Sequence, residues 1–320
     1  MAYSVLELEG IRSEVKRPDD FDTFWAEQLD ELAAVPLEWE RSPDSSLTTD
    51  KQQVGTLRFL SVDGIWVHAW LAAGVQDTSR SAGLVYLPGY SWGNPPPDSD
   101  SVYDDVLTLG LNLHGNPSDS SYRHPRNLGG EYITKGIDSP QTYVFKNIVL
   151  HCIRAMEVLA QQDDVDPERI AVGGMSQGGG LSLICAALSS VPQLCFADMP
   201  WLCDLDRALS LIDPTRYKPG MAVPDSRSFI RGYAQEHPEK ADQIYKTYRY
   251  FDPLSHAGNI KIPVQCTAGG KDPSCRPPTI YSVYNEITSE KEMNYLPDTG
   301  HEIVPAMREA HDRWIRERLV

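Results

Sequence analysis

The 320-residue sequence predicts an α/β fold: a mostly parallel sheet flanked by helices, entered through a helix and a pair of antiparallel strands. Three observations carry this. Short apolar runs ending in turn-forming residues alternate with helical patterns along most of the chain, as parallel strands covered by helices on both faces require. A hairpin pattern precedes that alternation. A glycine-rich stretch, GGMSQGGG at 173–180, then sits between an apolar run and a helix.

Residues 18–35 begin with proline and acids and place Phe21, Phe24 or Trp25, Leu29 and Leu32 at helical spacing. QVGTLRFLS and IWVHAWLAAG flank Asp63 and Gly64, a hairpin signal. SAGLVYLPG and VLTLGLNLHG read as buried strands, and residues 144–161 as a long helix with one apolar stripe. RIAVGG is a short strand, QGGGLSLICAALSS the helix after it, and LCFADMP, IPVQCTAGG and EMNYLP three further strands. Two stretches interrupt the pattern. Residues 89–142 are rich in Pro, Gly, Asp and Ser, with Tyr90, Trp92, Tyr122 and Tyr132 among them; residues 201–256 carry helical patterns between two strands, as an inserted cap would. Long insertions of this kind usually serve function, and the chain is expected to form one catalytic-type domain over residues 1–320.

Composition excludes several classes. A net charge of −16 argues against nucleic acid, whose phosphates need a basic face, and against a polybasic membrane anchor. It suits a neutral or cationic ligand, but solubility alone also explains it and is the favoured reading. No basic region followed by an apolar run opens the chain, and no apolar stretch approaches the ~20 residues of a membrane span. The six cysteines are scattered in apolar runs without metal-ligand spacing, so buried free thiols in a reducing compartment, and a soluble cytoplasmic protein, are expected.

The glycine-rich stretch decides the chemistry. It lacks the spacing of a dinucleotide-binding turn and the lysine of a phosphate-binding loop, and apolar runs abut it too closely for a flexible linker. It does match G-x-S-x-G, as Gly174-Met175-Ser176-Gln177-Gly178, directly after a strand and directly before a helix. That context is a nucleophile elbow. Residues two positions either side of the serine must be small, and the helix N-terminus offers N–H groups to an oxyanion.

A serine needs a base, and the base an orienting acid. In the α/β-hydrolase fold these follow in the order Ser, Asp or Glu, His, each after a late strand. Asp272, after IPVQCTAGG, and His301, after EMNYLP, meet that order. Asp298 and Glu302 are competing acids, but they share the turn of His301. Asp252 suits a turn cap. His68, His114, His124, His151, His237, His256 and His311 lack strand-end placement and suit surface or packing roles. The amides of Tyr90, after an early strand, and Gln177, after the serine, are the candidate oxyanion donors. Trp92 either walls the pocket or is a surface aromatic. No metal or organic cofactor is required.

These residues resemble carbohydrate esterase family seven, the acetyl xylan esterase and cephalosporin C deacetylase group of the α/β-hydrolases. The resemblance runs almost end to end, through RPDDFDTFWAEQLDEL, PGYSWG, GGEYITKGIDSPQTYVFKNIVLHCIRAMEVL, RIAVGGMSQGGGLSL, ADMPWLCDLDRAL, YRYFDPLSHAGNIKIPV, KDPSCRPPTIYSVYNEI and GHE. It implies Ser176 as nucleophile, His301 as base, Asp272 as orienting acid and the Tyr90 and Gln177 amides as oxyanion hole. It further implies a ring-like homohexamer whose active sites face an inner cavity, open to small esters and short oligosaccharides. The activity expected is removal of acetyl groups from sugar hydroxyls. The chain departs from the family at Leu113-His114-Gly115-Asn116, where an Arg-Gly-Gln motif is usual, and carries an extra Arg276. Two rivals remain: a peptidase of the prolyl-oligopeptidase type, which shares the elbow but has a propeller-sized N-terminal region, and a non-catalytic binding protein on the same fold.

Overall fold

A computed structural model describes residues 3–74, 80–90, 93–94, 105–113, 132–212 and 225–320. Among these the chain opens with two helices, α1 (Val5–Glu9) and α2 (Phe21–Ala33), followed by β1 (Trp39–Pro43), β2 (Gln52–Ser61), β3 (Ile65–Gly74), β4 (Ser81–Leu87) and β5 (Val106–Asn112). Helix α3 (Val144–Ala160), β6 (Val165–Met175), α4 (Gln177–Leu188) and β7 (Leu194–Asp198) continue it. Among the described residues of the expected cap region, four α-helices occur: α5 (Leu205–Leu211), α6 (Ser228–Glu236), α7 (Ala241–Arg249) and α8 (Pro253–His256). The chain closes with β8 (Val264–Gly269), α9 (Pro277–Tyr284), β9 (Lys291–Leu296) and α10 (Pro305–Leu319).

Among the described residues the strands form one nine-stranded sheet in the order β1-β2-β3-β5-β4-β6-β7-β8-β9. Pairings from β5 through β9 are parallel, and those joining β1, β2, β3 and β5 are antiparallel. The expected hairpin is β2–β3, paired from Gln52↔Gly74 to Ser61↔Ile65. At its turn Asp63 and Gly64 take φ of 58° and 63°, the left-handed pair a tight hairpin needs.

Burial follows position in the sheet. Every residue of β5, β7 and β8 is buried, which is why these strands read as mainly apolar runs without polar alternation. Edge strand β1 is exposed at all five positions, and its sequence WERSP has no apolar alternation to announce it. Helix α4 is buried from Gln177 to Ala186, so nearly three turns of the helix behind the serine have no solvent face. Helix α2 buries Phe24 and Trp25 together, and the Trp25 indole donates to the Tyr250 carbonyl at 3.1 Å. Helix α10 buries Met307, Trp314 and Ile315, and the Trp314 indole donates to the Cys195 carbonyl of β7 at 3.1 Å.

Candidate active site

Parallel strands of one sheet end on the same side, so the C-terminal ends of β4, β6, β8 and β9 bring four separate loops to one edge. Tyr90 follows β4, Ser176 follows β6, Asp272 follows β8 and His301 follows β9.

Ser176 lies between β6 and α4 with φ 59° and ψ −119°, a conformation that strains any residue with a Cβ. Three hydrogen bonds hold it there. Its N–H donates to the Asp198 carbonyl at 2.8 Å, and its carbonyl accepts from Gly180 N at 3.0 Å and Trp201 N at 2.8 Å. The flanking glycines are a steric requirement. A Cβ on Gly174 would lie 2.6 Å from the Leu87 carbonyl oxygen, and one on Gly178 would lie 2.1 Å from the same atom. The elbow is thus wedged against the end of β4, and Gln177 begins α4 beside Ser176, where helix N–H groups are not consumed within the helix.

Asp272 is fixed at both oxygens. Oδ1 accepts from the amides of Ser274 and Cys275, each at 2.8 Å, and Oδ2 lies 2.7 Å from His301 Nδ1. The Asp272 side chain is fully buried, whereas that of His301 is 25% exposed, so the imidazole is held from behind and open in front. The competing acids are engaged elsewhere. Asp298 pairs with Lys271 at 2.7 Å on the surface, and that ammonium holds its carboxyl below the usual range. Glu302 is exposed and accepts from Gly300 N at 3.3 Å.

Tyr90 is positioned by its own side chain. Its hydroxyl accepts from Tyr132 N at 3.0 Å and Ile133 N at 3.1 Å, and its ring stacks on Tyr132 (4.4 Å, 30°) and packs on Trp201 at 4.8 Å. The Tyr132 hydroxyl in turn donates to Gln177 Oε1 at 2.6 Å. The two candidate oxyanion donors therefore belong to residues joined through one tyrosine. Trp201 and the Tyr132–Gln177 bond were not legible in the sequence, because partners 45 residues apart are brought together only by the sheet.

Cys275 is another residue the sequence did not single out. Its thiol, the Asp272 carboxylate and a His301 ring nitrogen all lie within 4.8 Å of one another, a set of donors that in isolation would suit a metal. Burial, reinforced by Asp272, pushes the Cys275 thiol well above its ordinary range, and Asp272 already carries three donors. The arrangement is that of an acid–base pair with a protonated thiol beside it. All six cysteines are buried and unpaired.

The other expectations resolve as packing. Asp252 caps α8 through Leu254 N at 2.9 Å and also accepts from Asp204 N and Leu205 N, each at 3.0 Å. His151 meets Ser61 Oγ at 2.8 Å, His256 meets the Tyr250 carbonyl at 2.9 Å, and His311 stacks on Phe196 at 4.2 Å. Arg276 stands at the N-cap of α9. Trp92, Tyr122, His114, Gly115, Asn116 and His124 lie outside the described residues.

The profile of the family described as acetyl xylan esterase (AXE1) matches residues 1–318. The chain belongs to the acetyl xylan esterase family. It is 26% identical over 325 residues to the acetyl esterase Axe7A of Xylanibacter ruminicola, an alignment covering 97% of this chain and 70% of that protein. Among solved structures it is similar to an acetyl xylan esterase from Paenibacillus sp. R4 (27% identity, TM-score 0.83, 98% of this chain and 99% of that one). It is equally similar to acetyl xylan esterase 1 from Thermoanaerobacterium sp. JW/SL YS485 (25% identity, TM-score 0.83, 99% of each chain). A Pyrococcus horikoshii acylaminoacyl peptidase shares only the fold, at 15% identity over 42% of that chain. The expected α/β-hydrolase architecture and the family resemblance both hold, and the peptidase reading is left with distant fold similarity. Among the described residues no helix is long and apolar enough to cross a membrane.

Proposed function

We propose that this member of the family is a serine esterase that removes acetyl groups from O-acetylated sugars or short xylo-oligosaccharides, with Ser176, His301 and Asp272 as its triad. The observation that carries the reading is the 2.7 Å contact of His301 Nδ1 with a buried Asp272, on the sheet edge that also bears the strained Ser176. Asp272 fixes the imidazole so that Nε2 is free to take a proton. As that proton leaves Ser176 Oγ, the oxygen attacks the acetyl carbonyl, and the amides of Tyr90 and Gln177 receive the charge that develops on the carbonyl oxygen. Collapse of the tetrahedral adduct expels the sugar alkoxide, which takes the proton from His301. Water then enters, gives its proton to His301 and attacks the acetyl-serine, releasing acetate and restoring Ser176. Every step is a proton or acyl transfer, so the cycle closes with no electron acceptor and no cofactor.

The reading extends to the whole chain as one catalytic unit, with residues 201–256 as its cap. It also includes a homohexamer, supported by the family resemblance, and a cytoplasmic location, supported by six unpaired thiols. Light scattering reads the assembly directly. The activity is tested with acetylated xylose, acetylated xylo-oligosaccharides and 4-nitrophenyl esters of increasing acyl length, for the wild type and Ser176→Ala. Acetyl esters are expected to be preferred, and Ser176→Ala to retain less than about a thousandth of the rate. A folded Ser176→Ala protein that keeps its activity, or a wild type that favours long acyl chains, refutes the proposal.

A further inference from the structure

The Asp225–Arg227 ion pair is deeply buried, with side chains 1% and 0% exposed. Burying two charges is expensive, and isosteric apolar pairs are often as stable, so such a pair needs a reason beyond stability. Its contacts supply one. Arg227 Nε and Nη2 grip the Asp225 carboxylate at 2.8–3.1 Å, while the remaining donors leave for two other segments. Nη1 donates to the Cys203 carbonyl at 2.7 Å, and Nη2 to the Ser274 carbonyl at 2.9 Å. Asp225 Oδ1 also receives the Trp201 indole at 3.3 Å.

Both destinations matter to the site. Met199, Leu202 and Asp204 all take positive φ (40°, 75° and 45°), so the loop after β7 that carries Trp201 and Cys203 is strained three times in six residues. It stays in that shape only if its surroundings hold it, and it supplies the amide bonded to the Ser176 carbonyl and the ring against Tyr90. The Ser274 carbonyl belongs to the peptide unit whose N–H, that of Cys275, donates to Asp272 Oδ1. A guanidinium on the oxygen of that peptide polarises its N–H towards the carboxylate, and fixes the plane in which the N–H points.

We infer that Arg227 is a positioning residue of the acetyl-ester hydrolysis: through the Ser274–Cys275 peptide it sets the orientation of Asp272, and hence of His301. The inference rests on the triad reading above. Its effect belongs to the chemical step, because Arg227 has no exposed surface from which to touch a substrate.

The test is a double-mutant cycle on the full-length protein. One arm is Asp225→Leu with Arg227→Met, which removes both buried charges and leaves neither orphaned. The second is Arg227→Lys, which keeps a charge beside Asp225 but cannot span two carbonyls. Each is made in the wild type and in Asp272→Asn, folding is checked by circular dichroism, and kcat and KM are measured separately with 4-nitrophenyl acetate. Displacing a catalytic group slightly costs about 10- to 100-fold in rate, so each arm is expected to lower kcat by that factor in the wild type. KM should stay within about twofold, and the same replacement should cost less than about twofold once Asp272 is asparagine. Equal losses in both backgrounds, or unchanged kcat in a folded variant, overturn the role of Arg227 while leaving the triad standing. If Asp272→Asn alone costs less than tenfold, the triad reading fails and this inference falls with it.

Discussion

Replacing Asp272 by asparagine separates the orientation of His301 from its mere presence. The amides of Ser274 and Cys275 point at Oδ1 from 2.8 Å each, so that position accepts only an oxygen. The asparagine must keep its carbonyl there and turn its NH2 towards His301 Nδ1, where a carboxylate oxygen stood at 2.7 Å. An N–H donor at that point requires a lone pair on Nδ1, which moves the imidazole proton to Nε2. The nitrogen facing the serine then has no capacity to accept a proton. The equivalent exchange in serine proteases costs about 10,000-fold in kcat, and at ~1.36 kcal/mol per tenfold that raises the barrier by about 5 kcal/mol. Initial rates with 4-nitrophenyl acetate, normalised by circular dichroism to folded protein, measure it. The expected outcome is a loss of 1,000- to 10,000-fold, roughly as in the protease precedent, in kcat rather than KM. A loss below tenfold, or one carried wholly by KM, refutes the tautomer argument and the assignment of the acid.

Asp298→Asn should leave kcat/KM within about twofold, because the carboxylate it removes is an exposed partner of Lys271; a tenfold loss would move the acid to the His301 turn. Gly178→Ala should abolish activity and lower the melting temperature, since its Cβ would sit 2.1 Å from the Leu87 carbonyl oxygen. Gly232→Ala, within α6 and with nothing inside 4 Å, should keep or raise it by thermal melting. His256 is buried, and that burial, ahead of any other influence, depresses its pKa to about 3. Its neutral ring therefore contributes stability above the unfolded pKa of about 6.5, which is lost as pH falls towards 3, by ~1.36 kcal/mol per pH unit. Urea unfolding should show the cost of His256→Gln shrinking by about 2 kcal/mol between pH 7 and pH 5; a cost independent of pH would contradict a buried neutral imidazole. Asp252, whose carboxyl is raised to about 7 by burial and by Asp204, has the opposite slope but is common to both proteins and cancels in that difference.

What could be read from the sequence is what local geometry encodes. The elbow demands glycines around Ser176 because the β4 carbonyl is within touching distance, and that demand is written in five consecutive residues. Asp272 and His301 were legible because each follows a short strand-like run that ends in turn-forming residues, although β9, before His301, is only half-buried. The central parallel strands were legible from their short, mainly apolar runs, and α3 from its apolar stripe at helical spacing. The sheet order was not, since β5 crosses to lie between β3 and β4 by long-range pairing that no window of sequence contains. Strand β1 escaped notice because an exposed edge imposes no alternation. Helix α10 escaped because its charged faces dilute the stripe of Met307, Trp314 and Ile315. Asp225 and Arg227 lie two residues apart in the polar stretch DSRS, which carries no local sign of burial, and they form an interior pair only through the Cys203 and Ser274 segments packed against them.

The six cysteines of the chain all lie shut inside the folded protein without a disulfide, Cys275 next to Asp272 and Cys152, Cys185, Cys195, Cys203 and Cys266 elsewhere in the core. A thiol reagent in solution therefore meets nothing to react with until the chain opens. Each modification becomes a record of an excursion from the native state, and Cys275 reports whether the acid-bearing loop opens before the rest of the core does. The protein thus carries its own stopwatch for unfolding, with one of its hands set beside the proposed acid of the triad.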